Sequence, residues 1–254
     1  MLDLPPVGCF DIDETVAGLP MLFSFQKVFA EEEPIAIARP DRGVLGRTVR
    51  KGRTLTYFGH AKADLVAFEN SCLVAADGPL SFADILADAE LGRMKLALLG
   101  GCQTGLNPNV GAIHDEYYGL DGAIIAKGCE SVISSLWPVA EDSGFLLSWK
   151  VLHLVASGQQ EAASMLSTAV SWLRSGEWQV ELDKILTCGE LERCVSRARM
   201  TERYKAWAMK SGRMFLEHLR ALPSSRFSHP VHWAAWRCSG LGGDLLPDCQ
   251  PGVE

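Results

Sequence analysis

The sequence predicts an α/β fold built on a mostly parallel sheet, and three observations carry that reading. First, apolar runs of strand length recur and stop at turn residues: Thr54 to Phe58 before Gly59, Lys95 to Leu99 before Gly100 and Gly101, and Ser131 to Leu136 before Trp137-Pro138. Second, segments with helical spacing of apolar residues separate these runs, and a strand, helix and strand in succession join parallel neighbours through a right-handed crossover. Third, 254 residues with 48% hydrophobic and 22% charged content are enough for one sizeable core, so a single compact domain is expected.

Charge and cysteine content narrow the function classes. A net charge of −7 and a pI near 5.4 argue against a protein that depends on phosphate contacts, so no direct nucleic-acid partner is expected despite the basic stretch from Arg193 to Arg203. Eight cysteines without a CxxC pair do not make a disulfide scaffold or a zinc site. Free thiols in a reducing cytoplasm are the expectation, with no signal segment and no run near the roughly 20 apolar residues that span a bilayer. No metal is expected: His229 and His232 flank a proline as turn residues, and no third ligand stands at suitable spacing. No cofactor is expected either.

Taken in order, the chain opens with Pro5, Pro6 and Gly8 ahead of FDIDET. The D-x-D-x-T pattern is that of haloacid dehalogenase-type phosphatases, with Asp11 as nucleophile and Asp13 as acid/base. The prolines and glycine read against the apolar strand such an enzyme needs, and an acidic turn leading to a helix around Met21 to Ala30 is the reading preferred here. PIAIAR, from Pro34 to Arg39, reads as a short strand, followed by a basic loop up to Arg53. Thr54 to Phe58 has the length of a central strand. SCLVAADGPLSF reads as a short strand, a turn at Asp77-Gly78-Pro79, and a helix opened by a capping box of Ser81 and Asp84.

The Lys95 to Leu99 strand comes next, and after it a helix from about Ile113 to Lys127 with Leu120, Ile124 and Ile125 inward and Gly128 at its end. Ser131 to Leu136 is a further strand. Helices follow over Ser143 to Ala156 and Gln160 to Arg174, then a more charged region, Gly176 to Leu222, that reads as two helices. HPVHWAAWRCSG reads as a last strand, and the residues after Gly242 as a mobile tail.

Two strands of this pattern end in chemistry. YFGH delivers His60 and LALLGGCQTG delivers Cys102, each just past a parallel strand's carboxyl end, where open α/β sheets bind ligands. A thiol with an ordinary pKa near 8.5 is only slightly ionised at neutral pH, and an adjacent imidazole can take its proton as it attacks. The pair therefore reads as the dyad of a cysteine hydrolase. The Trp137-Pro138 turn brings Glu141 and Asp142 to the same edge, either as site residues or as first-turn acids favoured by the next helix dipole. A glutaminase-type hydrolase is the other cysteine enzyme open to this chain. It would strain the backbone at Cys102 and draw its histidine from His153, His229 or His232.

YFGH, LALLGGCQTG, AIIAKGCESVISSLWPV, QEAASMLSTAVSWL and HPVHWAAW occur here in that order, over about Arg53 to Gly240. With them the chain resembles the CHAT peptidases, relatives of separases and caspases in clan CD. The resemblance implies a caspase-like three-layer α/β/α sandwich over residues 51–241, with a helical insertion at about 176–222. Residues 1–50 would join the same domain with an edge strand, and 242–254 would be the tail. It implies a thiol protease with His60 as base and later acid, Cys102 as nucleophile, and the backbone N–H groups of Cys102 and of Ala61 or its neighbour as oxyanion donors.

Three features depart from the family pattern. Ala61 stands where members usually carry glycine, the acidic pair after W-P-V is shifted to Glu141 and Asp142, and the segment before HPVHW is longer. By resemblance, carboxylates at the site edge favour cleavage after a basic residue. The basic loop before Arg53 would favour an acidic one. A protein substrate is implied, together with a regulatory protein partner. No tetratricopeptide period is visible, so such an array would lie in a different chain or outside this sequence. The alternatives are a CHAT-like interaction module with a decayed site, and the Asp11/Asp13 phosphatase.

Overall fold

The computed structural model describes residues 7–10, 35–38, 54–75, 77–88, 94–106, 119–159, 161–197 and 202–240. In chain order the strands and helices begin with β1 (Val7–Phe10), β2 (Ile35–Ala38), β3 (Thr54–Phe58), β4 (Ala61–Lys62), β5 (Cys72–Ala75) and β6 (Gly78–Ser81). Next come α1 (Phe82–Asp88), β7 (Leu96–Leu99), α2 (Leu120–Ala126), β8 (Ser131–Ser135), α3 (Glu141–Ala156) and α4 (Ala162–Ser175). The chain continues through α5 (Trp178–Thr187), α6 (Glu190–Arg197), α7 (Glu202–Ala221) and β9 (Trp236–Gly240).

Six strands form the main sheet in the order β2-β1-β3-β7-β8-β9. Every neighbouring pair is parallel except β8 and β9. The chain runs outward from β1 to β2, then returns across β1 to β3 and onward, so the strand order reverses between β1 and β3. The carboxyl side of that reversal is where an open sheet leaves a crevice for a ligand.

Alternation along β7 shows why the molecule has three layers. Leu96 and Leu98 join one core with Phe145, Leu146, Trp149 and Met165 of α3 and α4, while Ala97 and Leu99 join another with Ile85 of α1 and Leu120, Ala123 and Ile124 of α2. All four β7 residues are fully buried, as a strand covered on both faces requires. The structure is thus an α/β/α sandwich with a mostly parallel sheet, as the resemblance implies. Among the described residues no helix is long and apolar enough to cross a membrane.

The structure corrects several expectations. Val7–Phe10 is a strand, paired with β2 on one side and β3 on the other, although prolines and a glycine read against one. Pro5 and Pro6 lie outside the described residues. Gly8 is held by partners on both sides, Ala36 and Thr56, and pairing of this kind overrides local propensity. Asp11, Asp13 and the helix expected at Met21 to Ala30 lie outside the described residues.

The SCLVAADGPLSF segment makes two strands before its helix, and with β4 these form a separate antiparallel sheet, β4-β5-β6. Its capping box is present: the Asp84 N–H donates to Ser81 Oγ at 3.1 Å and the Ser81 N–H to Asp84 Oδ2 at 2.9 Å. The charged region holds three described helices, α5, α6 and α7, where two were expected. Trp178, Leu182, Leu191, Leu216 and Leu219 pack it onto the α3–α4 core. HPVHW forms a 3₁₀ turn, Pro230–His232, and only Trp236–Gly240 is strand.

Candidate active site

The register between β3 and β7 sets the site. Thr54 lies beside Leu96 and Tyr57 beside Leu99, and each pair is separated by 42 positions, as are His60 and Cys102. The Gly100 N–H donates to the Tyr57 carbonyl at 2.7 Å, so the ladder continues past the last strand residue. Parallel strands run about 4.8 Å apart, so the loops that follow β3 and β7 and carry His60 and Cys102 leave neighbouring strands on the carboxyl side, beside the point where the strand order reverses. The two loops touch there: a Cβ on Gly101 would lie 3.0 Å from Ala61 Cβ and 3.1 Å from the Gly59 carbonyl oxygen, the residues on either side of His60. His60 is exposed and Cys102 half-buried.

Backbone and tyrosine together fix the histidine loop. Buried Tyr57 places its hydroxyl 2.6 Å from the His60 carbonyl oxygen, and the Val74 N–H donates to the same carbonyl at 2.9 Å. Gly59 leaves room for that hydroxyl, since a Cβ there would stand 2.7 Å from it. With His60 bonded to Val74 and Ala61 opposite Leu73, antiparallel alternation turns the Ala61 N–H away from β5. An oxyanion donor at the rim needs that orientation.

Hydroxyls fix the cysteine loop. Thr104, fully buried, donates through Oγ1 to carbonyls of the loop itself, at 3.2 Å from Leu99 and 3.1 Å from Gly101, and accepts the Ser135 N–H at 3.2 Å. Ser135 Oγ donates to the Gly101 carbonyl at 2.9 Å, and the Gly105 N–H to the Ser135 carbonyl at 2.8 Å. The loop is thereby sewn to the end of β8. Gln103 is the non-glycine described residue with positive φ, at 59°. That places the strain one position after Cys102, whereas the glutaminase-type reading needs it at the nucleophile itself.

Beneath the loop lies a buried acid that, as the one carboxylate in GLDGA, counts in the sequence only against the acidic cluster a phosphatase would need. Asp121, at the start of α2, is fully buried. Its Oδ2 accepts from Ser134 Oγ at 2.9 Å and Ser239 Oγ at 3.4 Å, and lies 3.3 Å from Arg237 Nη2 of β9. The Gly122 N–H donates to Oδ1 at 3.0 Å. Burial pushes this carboxyl up from 3.8 to about 6, against the opposing pull of the Ser134, Gly122 and Ser239 hydrogen bonds. GLDGA in the sequence offered one signal, an acid in an otherwise apolar helical stretch.

The remaining candidates are dispersed. Glu141 and Asp142 open α3 on the chain leaving β8, Glu141 exposed and Asp142 half-buried. Asp142 Oδ2 lies 3.5 Å from His218 Nε2 of α7. Of the alternative histidines, His153 sits in the last turn of α3, its ring 6.5 Å from that of Trp149. His229 accepts the Val231 N–H at 3.2 Å, and His232 is buried, which with nearby Arg226 holds its pKa down. None of these three follows the carboxyl end of a strand. Among the described residues no group of three His, Cys, Asp or Glu side chains could hold a metal ion.

No curated protein matches this chain. One family model, described as the CHAT domain, matches residues 36–241, a stretch that contains both rim loops, the W-P-V turn and the closing β9 strand. The chain therefore belongs to the CHAT domain family, a caspase-like, protease-type family.

Proposed function

We propose that the protein is a cysteine endopeptidase working through a His60/Cys102 dyad. The in-register pairing of β3 with β7, whose carboxyl ends lead into the His60 and Cys102 loops, is the observation that supports it. With a peptide between them, His60 takes the thiol proton and the Cys102 sulfur attacks the scissile carbonyl carbon, moving the C=O π pair onto oxygen. The Cys102 and Ala61 N–H groups are the assigned donors to that oxyanion, and removing one such donor typically costs about 10²–10³ in rate. Collapse breaks the C–N bond, the imidazolium protonates the departing amine, and a thioacyl-enzyme remains. His60 then deprotonates a water that attacks the thioester, and the thiol is restored.

The reading extends to specificity and setting. Glu141 and Asp142 are the assigned carboxylates for a basic residue before the cut. The nucleophile must stay a free thiol, which fits a reducing cytoplasm. A regulatory protein partner is proposed to order the rim, and a tetratricopeptide protein is the first to test. Digestion of an unbiased peptide library by wild type and by Cys102→Ala tests the enzyme and its preference together. Cleavage after Arg or Lys, absent in the variant, is expected; equal cleavage by both ends the reading. The second reading, an interaction module without turnover, draws on Ala61 in place of glycine and would leave an electrophilic peptide probe unattached to Cys102.

A further inference from the structure

We infer that Asp121 and Arg237 are a positioning pair that holds the Cys102 loop in its reactive shape when Asp121 is ionised. The inference rests on the dyad reading for its consequence in hydrolysis, and on the loop geometry alone for its effect on the thiol. Asp121 joins three elements under the loop: its own α2, Ser134 of β8, and Arg237 with Ser239 of β9. The Cys102 loop rests on this cluster. A Cβ on Gly105 would fall 2.4 Å from Ser134 Oγ and 3.3 Å from Asp121 Oδ2, and the Asp121 N–H points to the Thr104 carbonyl at 3.4 Å. Gly119 is equally confined, its Cβ position 2.4 Å from Asp121 Oδ1. Asp121 is thus hemmed in by Gly105, just past Cys102, and by Gly119.

Among the described residues the charged group facing Asp121 is Arg237 from β9, itself half-buried, while α2 and β8 present the Gly122 N–H and the Ser134 hydroxyl. Protonation of Asp121 removes the charge that draws in Arg237 and gives the carboxyl a proton to donate, so the Ser134 and Ser239 hydroxyls must turn. Both changes reach Gly105 and Thr104 by direct contact. Because burial sets this carboxyl near 6, the change falls just below neutral pH. A displaced nucleophile is costly, since a misplacement of about 1 Å can lower a rate about 10²-fold.

The test reads the thiol directly. Wild type and Asp121→Asn are alkylated with iodoacetamide from about pH 5 to pH 8, the range that brackets this carboxyl. The rate at Cys102 is followed by mass spectrometry of its peptide, because other cysteines, exposed Cys188 among them, are free. The expected ratio of wild-type to variant rate is about tenfold or more above pH 7 and approaches one below pH 5. A ratio that does not change with pH, or stays at one, overturns the inference.

A double variant, Asp121→Leu with Arg237→Met, separates positioning from stability, because an apolar pair often replaces a buried ion pair without loss of folding. A folded double variant with slow Cys102 supports the role; one with the wild-type rate overturns it. Neither readout needs peptide hydrolysis, so they stand apart from failure of the protease reading.

Discussion

The two loops that form the rim are held by different means. The histidine loop is fixed by backbone: β4 pairs with β5, the Val74 N–H meets the His60 carbonyl, and the Tyr57 hydroxyl closes the turn. The cysteine loop is fixed by side chains, the hydroxyls of Thr104 and Ser135 over the Asp121 cluster. Backbone pairing tolerates most substitutions and does not titrate. Buried hydroxyls tolerate few substitutions, because each unmade bond leaves a desolvated polar group behind, and the buried carboxylate also titrates. The Cys102 side should therefore be the more sensitive to mutation and to pH.

The largest expected effect is common to both loops. Cys102→Ala should abolish hydrolysis, and His60→Ala should lower it by about 10²–10⁴-fold, measured as kcat/KM on a peptide cleaved by wild type. The comparison sharpens at Thr104→Val, which keeps shape but strands the Leu99 carbonyl and the Ser135 N–H, while the Gly101 carbonyl keeps Ser135 Oγ. A loss of about 2–4 kcal/mol in denaturant unfolding is expected, with slower Cys102 alkylation. Tyr57→Phe on the other side removes one hydroxyl, leaves the His60 carbonyl its bond from the Val74 N–H, and should cost only about 1 kcal/mol. Equal losses in the two variants would break the contrast.

The pH dependence of stability has a definite sign. Asp121 is raised from 3.8 to about 6 in the folded chain, so its favourable contribution is complete below 3.8 and is lost as pH rises through 6. The change amounts to about 3 kcal/mol, and the part of the urea midpoint's slope between pH 4 and pH 6 that it causes should vanish in Asp121→Asn. At neutral pH the fold carries an ionised, buried acid at a cost to stability, as a group retained for positioning would. Smallest of all, Glu181→Gln, which removes the charge facing Lys150 away from the rim, should change stability by about 1 kcal/mol and leave alkylation of Cys102 unaltered.

The same division decides what could be read from the sequence. The strands that lead to His60 and Cys102 were legible because a buried parallel strand writes itself as a short apolar run, and a glycine break marks where it ends. β1 was not, since its support comes from β2 and β3 on either side and from nothing in VGCF alone. β6 was hidden in a turn-rich segment, GPLS, that pairs only because β5 folds back on it. The hydroxyl and carboxylate supports of the cysteine loop left the faintest trace. Thr104, Ser134 and Ser135 look like ordinary polar residues until the fold brings β8 beside the loop, and Asp121 pairs with Arg237 across more than a hundred positions.

The most direct test of the shared rim is the rate at which an electrophilic peptide, such as an acyloxymethyl ketone with a basic residue at the cut, labels the protein. Wild type should be labelled at Cys102, and His60→Ala should label about 10²-fold more slowly or worse while keeping its fold. Labelling of His60→Ala at the wild-type rate would contradict the claim that the imidazole and the thiol act together.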